Sequence, residues 1–223
     1  MVKVLPKVEF KMGRRRVSPT ARRWLIKKRD YLSDVWTKEG LTILSNIEEH
    51  CGFSFPARTI SEGMVVYLFQ LKRSNDLGNM NETKPLECNL FLRKGYTWTD
   101  VKAVLIHELI HCLMWQKFYF DLRTRKPTFF ADVFADELMA CVVECLVLGH
   151  KPSYQTCDDA IDCAIGEAVY RLSETDERGK LVRALGFLEE YCSKMKNKES
   201  NILQEREKVL GVLPSLIPES IND

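Results

Sequence analysis

The sequence predicts an α+β fold, mostly helical with a small sheet, and three observations lead there. Two short runs rich in β-branched and aromatic residues, 64–71 and 87–93, are bounded by turn-forming sequence. Several longer segments repeat apolar residues at helical spacing. The 223 residues, 45% hydrophobic and 29% charged, suffice for one well-packed core and exclude a collagen-like, disordered or coiled-coil chain. The longest nearly apolar stretch, Leu138–Leu148, has 11 residues with Glu144 among them, against the ~18 or more that cross a bilayer, so no membrane partner is expected.

Charge divides the chain unevenly. Residues 1–30 hold eleven basic groups and two acids, a surplus of +9, so the remaining 193 residues carry −7 of the net +2. Residues 1–34 therefore read as a basic N-terminal arm ending in a helix over 19–34, with Trp24, Leu25, Tyr31 and Leu32 as its apolar positions. The basic groups at 14–16 and 22–29 are suited to neutralising phosphates, which makes nucleic acid a candidate partner through residues 3–29. A solvated arm is the simpler alternative. Lys3, Lys7, Glu9 and Lys11 occupy the place where a signal peptide has its apolar region, which predicts a cytoplasmic location. The eight cysteines form no dense framework and read as reduced thiols, several of them in the core.

Residues 35–196 form the expected main domain. A helix over 37–50 carries Leu41, Leu44 and Ile47 at helical spacing and ends before Gly52. Residues 64–71 suit a buried strand, and the turn-rich stretch 73–85 follows. Residues 87–93 alternate, with Cys88, Leu90 and Leu92 on one face and Asn89, Phe91 and Arg93 on the other, as in a half-exposed strand at a sheet edge. Thr97-x-x-Asp100 is a capping box that opens a helix over 98–117. Pro127 and Thr128 open an apolar helix over 129–148, closed by Gly149. Amphipathic helices are expected at about 157–174 and 178–195, and residues 197–223, with Pro214 and Pro218, read as a loosely attached tail.

The chemistry sits on the helix over 98–117. His107-Glu108-Leu109-Ile110-His111 is an H-E-x-x-H pentapeptide, and i and i+4 on a helix place both imidazoles on one face within reach of a single Zn²⁺. Glu108, one residue round, is placed to take the proton of a metal-activated water as it attacks a carbonyl. With four histidines in the chain, random placement gives about 0.006 such pentapeptides, so coincidence is a poor explanation. A catalytic zinc commonly has three protein ligands. The next helix offers Asp132, Asp136, Glu137 and Glu144, and His150 follows it. Glu137 is favoured because Val133, Phe134, Ala140 and Cys141 flank it, and a metal would offset the cost of a carboxylate on an apolar face. Glu144, two turns on, is an alternative ligand or a hydrogen-bond partner for a ligating histidine. Cys145, His150, Cys157 and Cys163 could be grouped as a second, structural zinc site, but they contain no tight C-x-x-C pair and buried thiols are the better reading.

These motifs together are similar to the minimal zincin metallopeptidases. The stretch from Glu137 through Ala140 to Leu146 resembles the E-x-x-A helix of ImmA/IrrE-like peptidases, and the run from Asn89 to Leu113 shares features with SprT-like proteins. The resemblance covers roughly residues 64–150. It implies a zincin-like fold whose edge strand precedes the active-site helix, with His107, His111 and Glu137 as zinc ligands and Glu108 as general base. It also implies that Asn89, Phe91 and Arg93 lie on a strand that pairs with extended substrate backbone. An oxyanion-stabilising donor is expected, with Tyr119, Tyr154 and His150 as candidates. The expected activity is zinc-dependent hydrolysis of peptide bonds in protein or peptide substrates. A binding or regulatory protein that keeps the scaffold without turnover, and associates with nucleic acid through the basic arm, is the alternative.

Overall fold

A strand with one buried face must alternate in burial, and this alternation organises the sheet. The computed structural model describes residues 4–14, 17–70, 78–80, 84, 86–118, 129–149, 197 and 201–212. They belong to two compact units, one of residues 1–49 and 53–121, the other of residues 50–52 and 122–223.

In the first unit the described residues form a sheet of four strands, β1 (Val8–Met12), β2 (Met64–Gln70), β3 (Gly78–Met80) and β4 (Glu87–Leu92), in the order β1-β2-β4-β3. β1 and β4 flank β2 in parallel, and β3 pairs antiparallel with β4. The register sets Phe10, Val66 and Cys88 abreast, then Leu68 beside Leu90. These residues, with Val8, Met64 and Leu92, form one buried face. Period-two patterning thus decides which side of every strand enters the core.

Helices α1 (Pro19–Cys51), α2 (Ala57–Glu62) and α3 (Trp98–Phe118) also belong to this unit, except that the boundary between the units assigns the last two residues of α1 to the other. The region expected as two helices is one 33-residue helix. No proline interrupts it, and Gly40 is accommodated because the Trp36 indole lies where a side chain at 40 would project, 2.4 Å from an added Cβ. Trp36 also meets Phe10 edge to face at 6.0 Å, tying α1 to β1. Leu25, Leu32, Leu44 and Ile47 are buried along α1, whereas Leu41 is 68% exposed, so the stripe differs from the expected one by a rotation about the axis.

The first 34 residues are therefore not an appended arm. Val8 and Phe10 are core residues of β1, and the basic side chains Arg22, Arg23 and Lys27 stand exposed on a folded helix. Charge composition hid a five-residue strand in which alternate positions are basic or acidic because they face solvent. At the opposite end of the sheet, β4 is bonded on both sides, so the strand expected at the edge is internal. The edge at this end, among the described strands, is β3, which lies in the stretch read as turn-rich.

The Thr97 capping box forms as expected: Asp100 Oδ2 accepts from the Thr97 amide at 2.7 Å, and Thr97 Oγ1 accepts from the Asp100 amide at 3.4 Å. Lys28 Nζ donates to Tyr96 O at 2.7 Å, while Lys102 and the Trp98 indole donate to the Glu39 carboxylate, so α1 is fastened to the start of α3. The Thr59 hydroxyl and the Gln116 side chain, both buried, join α2 to the last turns of α3.

The second unit contains α4 (Phe129–Leu148) and α5 (Ile202–Val212). Gly149, at φ 75°, ends α4, and its amide donates to Cys145 O at 2.9 Å. α5 corrects the expectation of a loose tail from 197. Asn201 and Gln204 cap it reciprocally, and its Ile202, Glu205 and Arg206 are buried. Arg206 Nε lies 2.7 Å from Asp136 Oδ1, a buried ion pair that ties α5 to α4. The helices expected at 157–174 and 178–195 lie outside the described residues. Among the described residues, no helix is long and apolar enough to cross a membrane.

Candidate metal centre

α3 is buried around most of its circumference, from Val101 and Ala103 through Leu113 and Met114. A helix of this kind is held by packing on several sides, which fixes the direction of each side chain it carries. His107 is 7% and Glu108 5% exposed, and His111, one turn on, is half-buried.

The two histidines converge. Their Nε2 atoms are 2.9 Å apart, and their rings meet at 73° with centroids 4.6 Å apart. Two nitrogens bound to one tetrahedral zinc at about 2.05 Å are separated by about 3.3 Å, so a few tenths of an ångström of opening would admit the ion. The donor set is also chemically apt, since neutral imidazole Nε2 is a standard zinc ligand. This pair fits a metal. Among the described residues, no third His, Cys, Asp or Glu side chain joins them.

Glu108 projects from the neighbouring face of α3 toward β3. A Cβ built on Gly78 falls 2.6 Å from Glu108 Oε1 and 2.9 Å from both Glu108 Cγ and Val104 Cγ1. The strand backbone thus passes directly over the carboxylate. Beside it, Cys88 of β4 and Cys112 of α3 are buried thiols in hydrogen-bond contact. That contact, together with burial and the charges of Cys112 and Glu108, pushes the Cys88 thiol well above its ordinary range. The shift favours the protonated thiol at Cys88.

The remaining expected site residues separate into distinct groups. Asn89 and Phe91 are on internal β4, where Asn89 Nδ2 donates to Asn79 Oδ1 at 2.7 Å and Phe91 stacks on Phe69 with centroids 5.5 Å apart. Over Cys88–Leu90 the strand is paired on both sides, by β2 and β3, so Asn89 lies on no open edge, while Phe91 is paired with Phe69 of β2 and Arg93 lies just beyond the strand's end. Glu137 belongs to α4, but its side chain lies outside the described residues, as does that of Asp132. Glu144 is 1% exposed. Asp136, read as part of a solvated flank, is buried and paired with Arg206. Tyr119, His150 and Tyr154 lie outside the described residues, as do Cys157 and Cys163 of the second-site grouping.

Gly78 and Asn79 were not expected at this site. The signal for them was a lone glycine in a turn-rich stretch, and a glycine there marks a close approach only when its neighbour in space is known. No protein-family model, curated protein or solved structure matches this chain.

Proposed function

We propose that this protein is a zinc-dependent metallopeptidase whose working groups are His107, Glu108 and His111. The observation that carries this reading is the convergence of the two imidazole Nε2 atoms, 2.9 Å apart, with Glu108 on the adjoining face of the same buried helix. His107 and His111 would hold Zn²⁺, with Glu137 proposed as third ligand and Glu144 as its alternative or as a hydrogen-bond partner of a ligating histidine. The ion, when bound, supplies a Lewis acid that polarises the scissile carbonyl and lowers the pKa of water.

The protein's own contribution is proton handling and orientation. Glu108 accepts a proton from the attacking water as its oxygen bonds to the carbonyl carbon. It then returns that proton to the amide nitrogen as the C–N bond breaks. β3, with its outer edge unoccupied by any described strand, is positioned to pair with an extended peptide. A cytoplasmic setting belongs to the same proposal, since the sequence carries no dense cysteine framework.

Metal analysis beside a cleavage assay on an unfolded protein substrate tests the proposal. Wild type should bind one zinc and cleave, His111→Ala should lose both properties, and Glu108→Gln should keep zinc and lose cleavage. Cleavage by Glu108→Gln would sink the mechanism, and stoichiometric zinc in Glu137→Ala would remove Glu137 from the ligand set.

A second reading is a zincin-scaffold binding protein without turnover that associates with nucleic acid. The exposed Arg22, Arg23 and Lys27 on the first turns of α1 favour it. It requires salt-dependent binding of labelled DNA or RNA, lost on charge reversal of these three residues, together with no Glu108-dependent cleavage.

A further inference from the structure

Gly78 is the second residue that the geometry ties to Glu108, through contact rather than chemistry. β3 has three residues and is held in antiparallel register with β4, Gly78 opposite Leu90, Asn79 opposite Asn89 and Met80 opposite Cys88. The Asn89-to-Asn79 side-chain hydrogen bond, at 2.7 Å, reinforces that register from the solvent side. The strand is thereby fixed across the face of α3 that carries Val104 and Glu108, one turn apart.

A methyl group at 78 would fall 2.6 Å from Glu108 Oε1 and 2.9 Å from Glu108 Cγ and Val104 Cγ1. Comfortable contacts between heavy atoms lie at about 3.5 Å or more, so something must yield. Val104 is β-branched, 7% exposed and stiff at χ1. The β3 backbone is held by its ladder to β4. Glu108 has three side-chain torsions, and it is the group that gives way. A side chain at 78 therefore moves the carboxylate while the strand and helix stay in place.

We infer that Gly78 is a positioning residue for Glu108, its missing side chain letting the β3 backbone form the wall against which the carboxylate is set. This rests on the proposed role of Glu108 as general base. The function it adds is selective: the residue shapes where the carboxylate sits, and it has no part in holding the metal.

The test is Gly78→Ala, alone and combined with Glu108→Asp, whose carboxylate retreats from the strand by one methylene. In the metal-free protein, Gly78→Ala should shift the ¹³Cδ resonance of Glu108 and leave those of other described glutamates, such as Glu39, in place. In the zinc-loaded protein it should retain full metal content and lower kcat about 10²-fold, with KM little changed, as expected for a misplaced catalytic group. In the Glu108→Asp background the same substitution should lower kcat less than about threefold. An unmoved Glu108 resonance, wild-type kcat, or an equal loss in both backgrounds would overturn the inference. Should Gly78→Ala fail to fold, Gly78→Ala/Glu108→Ala decides: recovery of folding supports the contact and continued failure overturns it. Retained cleavage by Glu108→Gln defeats the proposed mechanism instead, while the resonance shift still reports on the contact.

Discussion

α3 and α4 are apolar helices of similar length, 21 and 20 residues, and each carries an acidic residue into a buried position. Their surroundings differ. Asp136 of α4 is held by the Arg206 guanidinium at 2.7 Å, whereas Glu108 of α3 lies under the glycine backbone of β3, next to two imidazoles whose Nε2 atoms converge. Burial alone thus does not mark a working carboxylate. A carboxylate whose near neighbour is a fixed guanidinium is committed to joining two helices. The one beside two converging imidazoles is the carboxylate we propose as general base.

The largest effect that separates the two sites is on turnover. Glu108→Gln should reduce cleavage by about 10³-fold or more while the unfolding midpoint in denaturant stays the same or rises, because a buried charge has been removed. If stability collapses along with activity, Glu108 is a structural group like Asp136. The complementary substitution is Arg206→Met, which strands a buried carboxylate. It should cost about 3–5 kcal/mol in the unfolding free energy of the second unit, and most of that loss should be recovered by Asp136→Leu in the same chain. Equal destabilisation by the single and double variants would show that the ion pair is not what holds α5 to α4.

Thiol labelling sharpens the contrast from the side of α3. Cys88 and Cys112, buried and in contact, should resist alkylation in the native protein at pH 7–8 and react once it is unfolded. For Cys88, whose thiol is pushed above its ordinary range, slow labelling should persist above pH 9. Rapid native-state labelling of both would mean that the wall behind Glu108 opens.

The smallest effect concerns Glu39, whose hydrogen bond from Lys102, aided by Trp98, holds its carboxyl below the usual range despite some opposing burial. A lowered folded-state pKa contributes stability above the unfolded value of about 4.3 and loses it as pH falls through the lowered folded value. Glu39→Gln should therefore cost under about 1 kcal/mol at pH 7, since the pair is partly exposed, and nothing at pH 2. Acid titrations of unfolding that superimpose for the two proteins would show that this link between α1 and α3 contributes no stability.

Much of the first unit was legible because its signals are local. The capping box at Thr97, the alternation of Cys88, Leu90 and Leu92, and the ends of α3 follow from residues within a few positions of one another, as do the ends of α4 in the second unit. β1 was concealed by the charge of its solvent face, and α5 by the prolines after it, although Asn201-x-x-Gln204 was a readable cap. The continuity of α1 was missed because nothing local signals that a helix continues through 35–36 rather than stopping there.

By itself the sequence determined that His107 and His111 share one helical face, with Glu108 one residue round, because a 3.6-residue repeat is a property of the backbone. It also determined that β4 presents Cys88, Leu90 and Leu92 to the interior, because a strand alternates. Only the tertiary structure decided that β4 is internal and β3 lies at the edge, that β1 belongs to the sheet, and that Gly78 passes over Glu108. Strand order and close approach arise from pairing between residues distant in sequence, where hydrogen-bond partners and packed volume are chosen by the assembled fold and leave no periodic trace in the chain.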